Sequence, residues 1–167
     1  MTDLTCLVSH NIMLIYIAIR INMSIPELQG NNELPEGEHL ASLDEIEITY
    51  GSSTHRRKEL VRGLLDAASN MKAAGVKCIW INGSFVTNKR EPNDIDGCWE
   101  YDADVNLGVL DPAFLGTRAE MKKKYGLDFF IANVIETGSG LPFPKFFQRN
   151  RDGVPKGIIM VKLRRAS

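Results

Sequence analysis

The order of predicted helices and strands indicates an α+β (or α/β) domain in which a mixed sheet is flanked by helices. Two observations carry this prediction: a long amphipathic segment that ends at Gly75, and several short apolar runs rich in β-branched residues. The 167 residues, 44% of them hydrophobic, suffice for one globular domain with a sizeable core. We therefore expect a single domain over residues 40–167.

The first helix is the most clearly marked element of the sequence. Ser52, Ser53 and Thr54 are candidate N-caps, and Gly75 supplies a C-terminal stop. Between them, apolar residues recur at steps of three and four: Leu60, Leu64, Ala67, Ala68 and Met71. This spacing predicts an amphipathic helix.

Apolar stretches predict strands at residues 76–81, within 95–110 as one or two strands, at 127–134 and at 157–163. A second helix is predicted from Asp111-Pro112 through Lys124, because an Asp N-cap and an early proline precede a basic last turn and a glycine. Asp152-Gly153 is the predicted turn before the last strand.

The N-terminal part of the sequence changes character at Met23. Residues 12–19 form a continuous apolar stretch that is too short to cross a membrane, and the chain opens with Asp3 instead of the basic start of a signal peptide. We expect residues 1–22 to be an upstream extension or a peripheral segment, and residues 23–39 to be a polar N-terminal arm. A buried strand or helix in the apolar stretch is the alternative.

The charge balance gives no global reason to expect DNA or an anionic membrane as a partner, since 20 Lys and Arg face 21 Asp and Glu. Cys6, Cys78 and Cys98 lack CxxC spacing, which disfavours both a disulfide framework and a structural zinc site. We expect a cytoplasmic protein without a membrane or DNA partner.

The residues that suggest chemistry follow the predicted strand 76–81. Gly83-Ser84 comes directly after that strand, and Asp94 and Asp96 begin nine residues later. A Gly-Ser turn lets the backbone approach an anion, and the Ser84 hydroxyl can join nearby N–H groups around a phosphate. In a strand, Asp94 and Asp96 share one face about 6.5 to 7 Å apart, which suits carboxylates that bind Mg²⁺ or Mn²⁺. Taken alone, Gly-Ser is also a common turn, and Asn93-Asp94 with Gly97 is typical of turns as well.

At these residues the sequence resembles the nucleotidyltransferase superfamily, whose pattern is Gly-Ser or Gly-Gly after a strand, followed by Asp-hydrophobic-Asp. More closely, it resembles an uncharacterised prokaryotic group of small nucleotidyltransferase-like proteins, some of them associated with toxin–antitoxin operons. The matching segments are residues 74–76, 80–87, 91–96, 128–130, 138–142, 146–148 and 155–158. Asn82 and Gly97 depart from the pattern, because the superfamily usually has hydrophobic residues there.

The resemblance implies a nucleotidyltransferase-like fold and an Mg-dependent enzyme that moves an NMP group from an NTP to a hydroxyl of a protein or RNA acceptor. Gly83 and Ser84 would then hold phosphate, while Asp94 and Asp96 would bind the metal. It also implies a toxin–antitoxin or phage-defence setting, with a cognate toxin or antitoxin as a partner. The alternative is a catalytically weak or inactive binding protein of the antitoxin type.

The superfamily uses a third metal-binding, catalytic carboxylate on a neighbouring strand. Asp128 is preferred because it lies at the start of an apolar strand and within a matching segment, and Asp104 is the alternative. Lys156, just before the last strand, is the basic residue expected to contact the triphosphate. The aromatic and basic stretch 143–156 either stacks a nucleobase or supplies core aromatics with a solvated basic rim.

Overall fold

The computed structural model describes residues 24–163, whose strands form one five-stranded mixed sheet in the order β1-β5-β2-β3-β4. The strands are β1 (Gly37–Leu40), β2 (Cys78–Asn82), β3 (Ile95–Trp99), β4 (Leu127–Ile131) and β5 (Gly157–Lys162). β1 is parallel to β5 and β3 is parallel to β4, whereas β2 is antiparallel to both of its neighbours. The predicted α+β class with a mixed sheet is confirmed.

The α-helices of residues 24–163 are α1 (Leu43–Ile46), α2 (His55–Ala74), α3 (Arg118–Tyr125) and α4 (Phe143–Phe146). The long helix α2 confirms the prediction from the apolar spacing. The Thr54 side chain caps its first turn, and Gly75 ends it with a φ of 95°. No helix within this part of the chain has the length and apolar character needed to cross a membrane.

The two faces of the sheet are covered differently. The main core joins the apolar stripe of α2 to alternate sheet residues such as Ile79, Ile81 and Trp99. A smaller cluster on the opposite face contains Cys98 and Ile158 together with aromatic residues of α4 and the residue after it, Phe143 and Phe147. Residues two apart in a strand share a face, so the side chains of Asn82 and Asp96 belong to this second face.

The strand predicted within residues 95–110 is shorter than expected, since only Ile95–Trp99 pairs. The rest forms turns that are tied to the neighbouring elements. The Asn106 N–H donates to the Ala74 carbonyl at 2.8 Å, and Lys77 pairs with Asp102 and Asp104 at 2.7 Å each. The first contact satisfies a backbone N–H that a strand would have paired in its ladder, and the ion pairs tie the turns to Lys77, just before β2.

The predicted second helix is divided in two, which corrects the single helix expected from Asp111 onward. Asp111 caps only a short 3-10 turn, Pro112–Phe114. Helix α3 then begins after Thr117, whose side chain forms a capping box with Glu120. A capping box supplies a new start signal, so the second segment begins its own helix.

The polar arm expected at residues 23–39 is part of the domain over the residues that the structure describes. Ile25 and Leu34 are buried in the main core, and β1 begins at Gly37. This corrects the expected domain start at residue 40, because β1 gains its strand character by pairing with β5. The expectations for residues 1–22 and for Met23 lie outside the described residues.

Candidate functional site

A row of polar side chains crosses the second face of the sheet. Asn82 of β2 is the register partner of Asp96 of β3, and Asp96 is the register partner of Asp128 of β4. Register partners on neighbouring strands point to the same face, so the three side chains lie side by side. Asp94 precedes β3 and completes a group of carboxylates that we call the acidic cluster: Asp94, Asp96 and Asp128.

The acidic cluster lies against the turn that leaves β2. Gly83 has a φ of 75°, and a Cβ atom on it would stand 1.8 Å from Oδ2 of Asp96. Only glycine satisfies both the backbone conformation and this close approach. Gly83 also opens the 3-10 turn Gly83–Val86, whose second residue is Ser84.

A buried arginine from α2 holds the segment that follows, which we call the Gly-Ser loop (residues 83–89). The Arg57 side chain donates to the carbonyls of Phe85 at 2.9 Å, Thr87 at 2.8 Å and Lys89 at 2.6 Å. It also lies 5.3 Å from the centre of the Phe85 ring. Sequence reasoning missed this residue, although a charged side chain on the apolar stripe of α2 was a visible signal.

Two cations of α3 bind Asp128, whose side chain is only 3% exposed. Arg118 donates from Nε to Oδ1 at 2.6 Å and from a second nitrogen to Oδ2, and Lys122 Nζ lies 2.8 Å from Oδ2. Burial opposes ionisation of this carboxyl, but the hydrogen bonds from Arg118 and Lys122 outweigh it and lower the pKa of Asp128. Asp128 is therefore a fixed, ionised carboxylate.

Lys122 joins two members of the acidic cluster. Its Nζ lies 2.8 Å from Oδ2 of Asp94 and 2.8 Å from Oδ2 of Asp128. The hydrogen bonds to Asp128 and Asp94 raise the pKa of Lys122, so the bridging group is an ammonium ion at neutral pH.

Asp96 has the least compensated charge of the cluster. Among residues 24–163 its carboxylate has no hydrogen-bond or ion-pair partner. Burial and the negative charges of Asp94 and Asp128 raise the pKa of Asp96, and the more distant Lys122 and Lys156 offset this only in part.

Both departures from the superfamily pattern have a structural reason. Asn82 is buried and its Oδ1 accepts a 2.6 Å hydrogen bond from Lys156 Nζ, which a hydrophobic residue would lose. Gly97 is required because a Cβ atom there would stand 2.2 Å from the Trp80 carbonyl oxygen. Lys156 therefore lies beside the acidic cluster, where burial lowers its pKa despite the opposing effects of Glu33 and Asp96.

Comparison with known protein families places these residues in a wider group. A sequence profile of the DUF6932 family, which is described as a family of unknown function, matches residues 26–162. The chain belongs to this family. The matched region includes β1 to β5, the Gly-Ser loop and the whole acidic cluster. Searches of curated proteins and of solved structures gave no match.

Of the two candidates for the third carboxylate, Asp128 lies at the site of this DUF6932 domain and Asp104 lies away from it. Asp128 is the register partner of Asp96. Asp104 pairs with Lys77, which precedes the first residue of β2, whereas the acidic cluster lies at the last residue of that strand. The geometry therefore groups Asp128, not Asp104, with the other two carboxylates.

The aromatic residues near the cluster are mostly packed in the core of this DUF6932 domain. Phe143 and Phe147 are buried, and the Phe143 ring stacks on Phe130 at a centroid distance of 4.2 Å. Arg118 lies 4.9 Å from the centre of the Phe130 ring. This packing favours the interpretation of residues 143–156 as core aromatics with a basic rim.

The chemistry of the site is set by its carboxylates and by the cations that surround them. As the side chains stand, no group of three or more His, Cys, Asp or Glu within residues 24–163 is arranged to hold a metal ion. Lys122 and Arg118 provide positive charge among the carboxylates instead. A separate cavity of about 690 Å³, lined by Tyr50, Arg57 and Thr87 among others, includes no residue of the acidic cluster.

Proposed function

We propose that this chain is an Mg-dependent nucleotidyltransferase that moves an NMP group from an NTP to a hydroxyl of a protein or RNA acceptor. The observation that carries the proposal is the contact between Gly83 and the Asp96 carboxylate, with Asp128 in register beside it. It brings a candidate phosphate-binding turn and a group of carboxylates together on one face of the sheet. The sequence resemblance supports the same activity and the toxin–antitoxin or phage-defence setting.

The donor set of the acidic cluster fits a magnesium ion. Asp94, Asp96 and Asp128 offer carboxylate oxygens only, which are the hard ligands that Mg²⁺ and Mn²⁺ prefer. The incompletely compensated charge of Asp96 is a second point of fit, because a cation stabilises carboxylates that are held together. A bound Mg²⁺ supplies charge neutralisation for the phosphates and for the attacking oxygen.

The chain's own residues would orient the NTP beside the cluster. The Ser84 side chain has no hydrogen-bond partner within residues 24–163, and the first N–H groups of a helical turn lack partners inside it. These donors suit the outer phosphate oxygens, with Lys156 as the nearby cation. The acceptor oxygen would form a bond to the α-phosphorus as the bond to the bridging oxygen breaks, pyrophosphate leaves and the hydroxyl proton passes to a carboxylate of the acidic cluster. Positioning and electrostatics would therefore set the rate.

One observation favours a second function, that of an inactive binding protein of the antitoxin type. Lys122 and Arg118 already compensate Asp94 and Asp128. A nucleotidyltransferase-like domain that works by binding a partner needs no catalytic metal, and this internal compensation would keep its carboxylates stable without one.

The test is transfer of label from each α-labelled NTP, with Mg²⁺, to total tRNA and to cellular protein. We expect the wild type to label an acceptor and Asp96→Asn to lose at least about a hundredfold of the rate, as losses of single charge-stabilising groups in active sites do. Asp104→Asn is the matched control and should label as the wild type does. Label transfer that survives Asp96→Asn contradicts the proposed site. Binding of Mg-NTP without transfer, together with binding to a partner that is indifferent to Asp96→Asn, would favour the second function.

A further inference from the structure

We propose that Lys122 is a built-in counter-ion of the acidic cluster, and that a divalent cation must displace its ammonium group in order to bind. The inference rests on the proposed function in one respect, namely that the cluster binds a divalent cation. Lys122 is not one of the carboxylate residues on which that function was proposed.

The Lys122 ammonium lies between Asp94 and Asp128, where a cation shared by these two carboxylates would bind. Because Lys122 Nζ touches Oδ2 of Asp94 and Oδ2 of Asp128 at 2.8 Å each, these two oxygens are at most twice that distance apart. Two oxygens bound to one Mg²⁺ are no more than about 4.2 Å apart. A small closure of the two carboxylates would therefore suit a metal, but only after the ammonium has left.

Lys122 is the cation that can leave, whereas Arg118 is held in place. Arg118 contacts both oxygens of Asp128 and lies over the Phe130 ring, so its planar group is fixed on two sides. Lys122 ends in a single ammonium on a flexible stem, and its side chain is 41% exposed. It can turn towards solvent without moving α3.

Two cations that use the same oxygens compete, so Lys122 lowers the affinity of the cluster for metal. Without the Lys122 charge, Arg118 still compensates Asp128, but Asp94 loses its ion-pair partner, and Asp94 and Asp96 together attract a divalent cation more strongly. The affinity for metal alone should therefore rise when Lys122 is neutralised.

The experiment is titration of metal-free protein with Mn²⁺, followed by the free Mn²⁺ signal in electron paramagnetic resonance. We expect Lys122→Met to bind Mn²⁺ about tenfold or more tightly than the wild type. Lys124→Met is the matched control, because Lys124 lies on the same helix and pairs with Asp111 instead; it should bind as the wild type does. An equal or weaker affinity in Lys122→Met, or no binding by any of the three proteins, overturns the proposal.

Lys122→Gln keeps the test valid if the methionine variant fails to fold, since glutamine retains a hydrogen-bond donor without the charge. It carries the same expected gain in affinity. Thermal melting gives a second readout: added Mn²⁺ should raise the melting temperature of Lys122→Gln more than that of the wild type, because tighter binding stabilises the folded state more. Equal shifts would contradict the proposal.

The outcomes separate this inference from the proposed function. If the wild type transfers no label and yet Lys122→Gln gains Mn²⁺ affinity, the role of Lys122 stands and the enzymatic function fails. If label transfer is observed and the Mn²⁺ affinities are equal, the enzyme stands and the role of Lys122 fails.

Discussion

At the scale of single residues, the pKa values of two neighbouring carboxylates in the acidic cluster shift in opposite directions. Asp128 takes hydrogen bonds from Arg118 and Lys122, and its pKa is lowered even though burial opposes ionisation. Asp96 has no such partners, and burial together with the charges of Asp94 and Asp128 raises its pKa. The ionised form of Asp128 thus stabilises the fold, whereas the ionised form of Asp96 destabilises it.

These opposite shifts predict opposite effects of the same substitution on metal-free protein. Asp96→Asn should raise the melting temperature at pH 7, and the gain should shrink as the pH falls and the wild-type Asp96 becomes protonated. Asp128→Asn should lower the free energy of unfolding at pH 7 by about 1–3 kcal/mol, because Arg118 and Lys122 lose an ionised partner. That loss should fade only as the pH falls through the lowered pKa of Asp128. Melting curves from pH 8 to pH 3 check both, and a destabilised Asp96→Asn at pH 7 would contradict the assignment.

At the scale of elements, the link between α2 and the Gly-Ser loop positions the candidate phosphate site. Arg57 is 3% exposed and donates to carbonyls of Tyr50, Phe85, Thr87 and Lys89. Since these bonds hold the loop that starts at Gly83, the rigidity of the candidate phosphate site depends on a residue that does not line it.

We therefore predict that Arg57→Met destabilises the domain and loosens the loop. Several buried carbonyls would lose their donors, at a cost of about 2–4 kcal/mol in the free energy of unfolding. Amide hydrogen exchange should accelerate in residues 83–89 more than in β2. Arg62→Met, which changes an exposed arginine of the same helix, is the control and should leave both quantities unchanged. Wild-type exchange rates in the loop of Arg57→Met would contradict the role.

How far the sequence predicts these elements depends on whether their cause is local. Helix α2 was predictable because its cap, its apolar stripe and its glycine stop all lie within the helix or at its ends. β1 was not, because its four residues become a strand only by pairing with β5, far along the chain. In the site, the spacing of Asp94 and Asp96 could be read directly. Lys122 could not be distinguished from Lys123 and Lys124 until α3 was placed against β4.

At the scale of the whole molecule, the two faces of the sheet differ: one packs in the main core, and the other carries the candidate site. The main core with α2 stabilises one face, and the acidic cluster, Lys156 and the small aromatic cluster occupy the other. A large acceptor such as a protein or an RNA would have to approach on this second face, because α2 covers the first. The family match over residues 26–162 spans this whole arrangement.

The most direct test of the central claim is a crystal structure with Mn²⁺ and a non-hydrolysable NTP, in which anomalous scattering locates the metal. We predict an Mn²⁺ peak at the acidic cluster, with the phosphates against Gly83-Ser84 and with Lys122 displaced from Asp94 and Asp128. Phosphates bound elsewhere, with no metal peak at the acidic cluster and with Lys122 still joining Asp94 to Asp128, would contradict it.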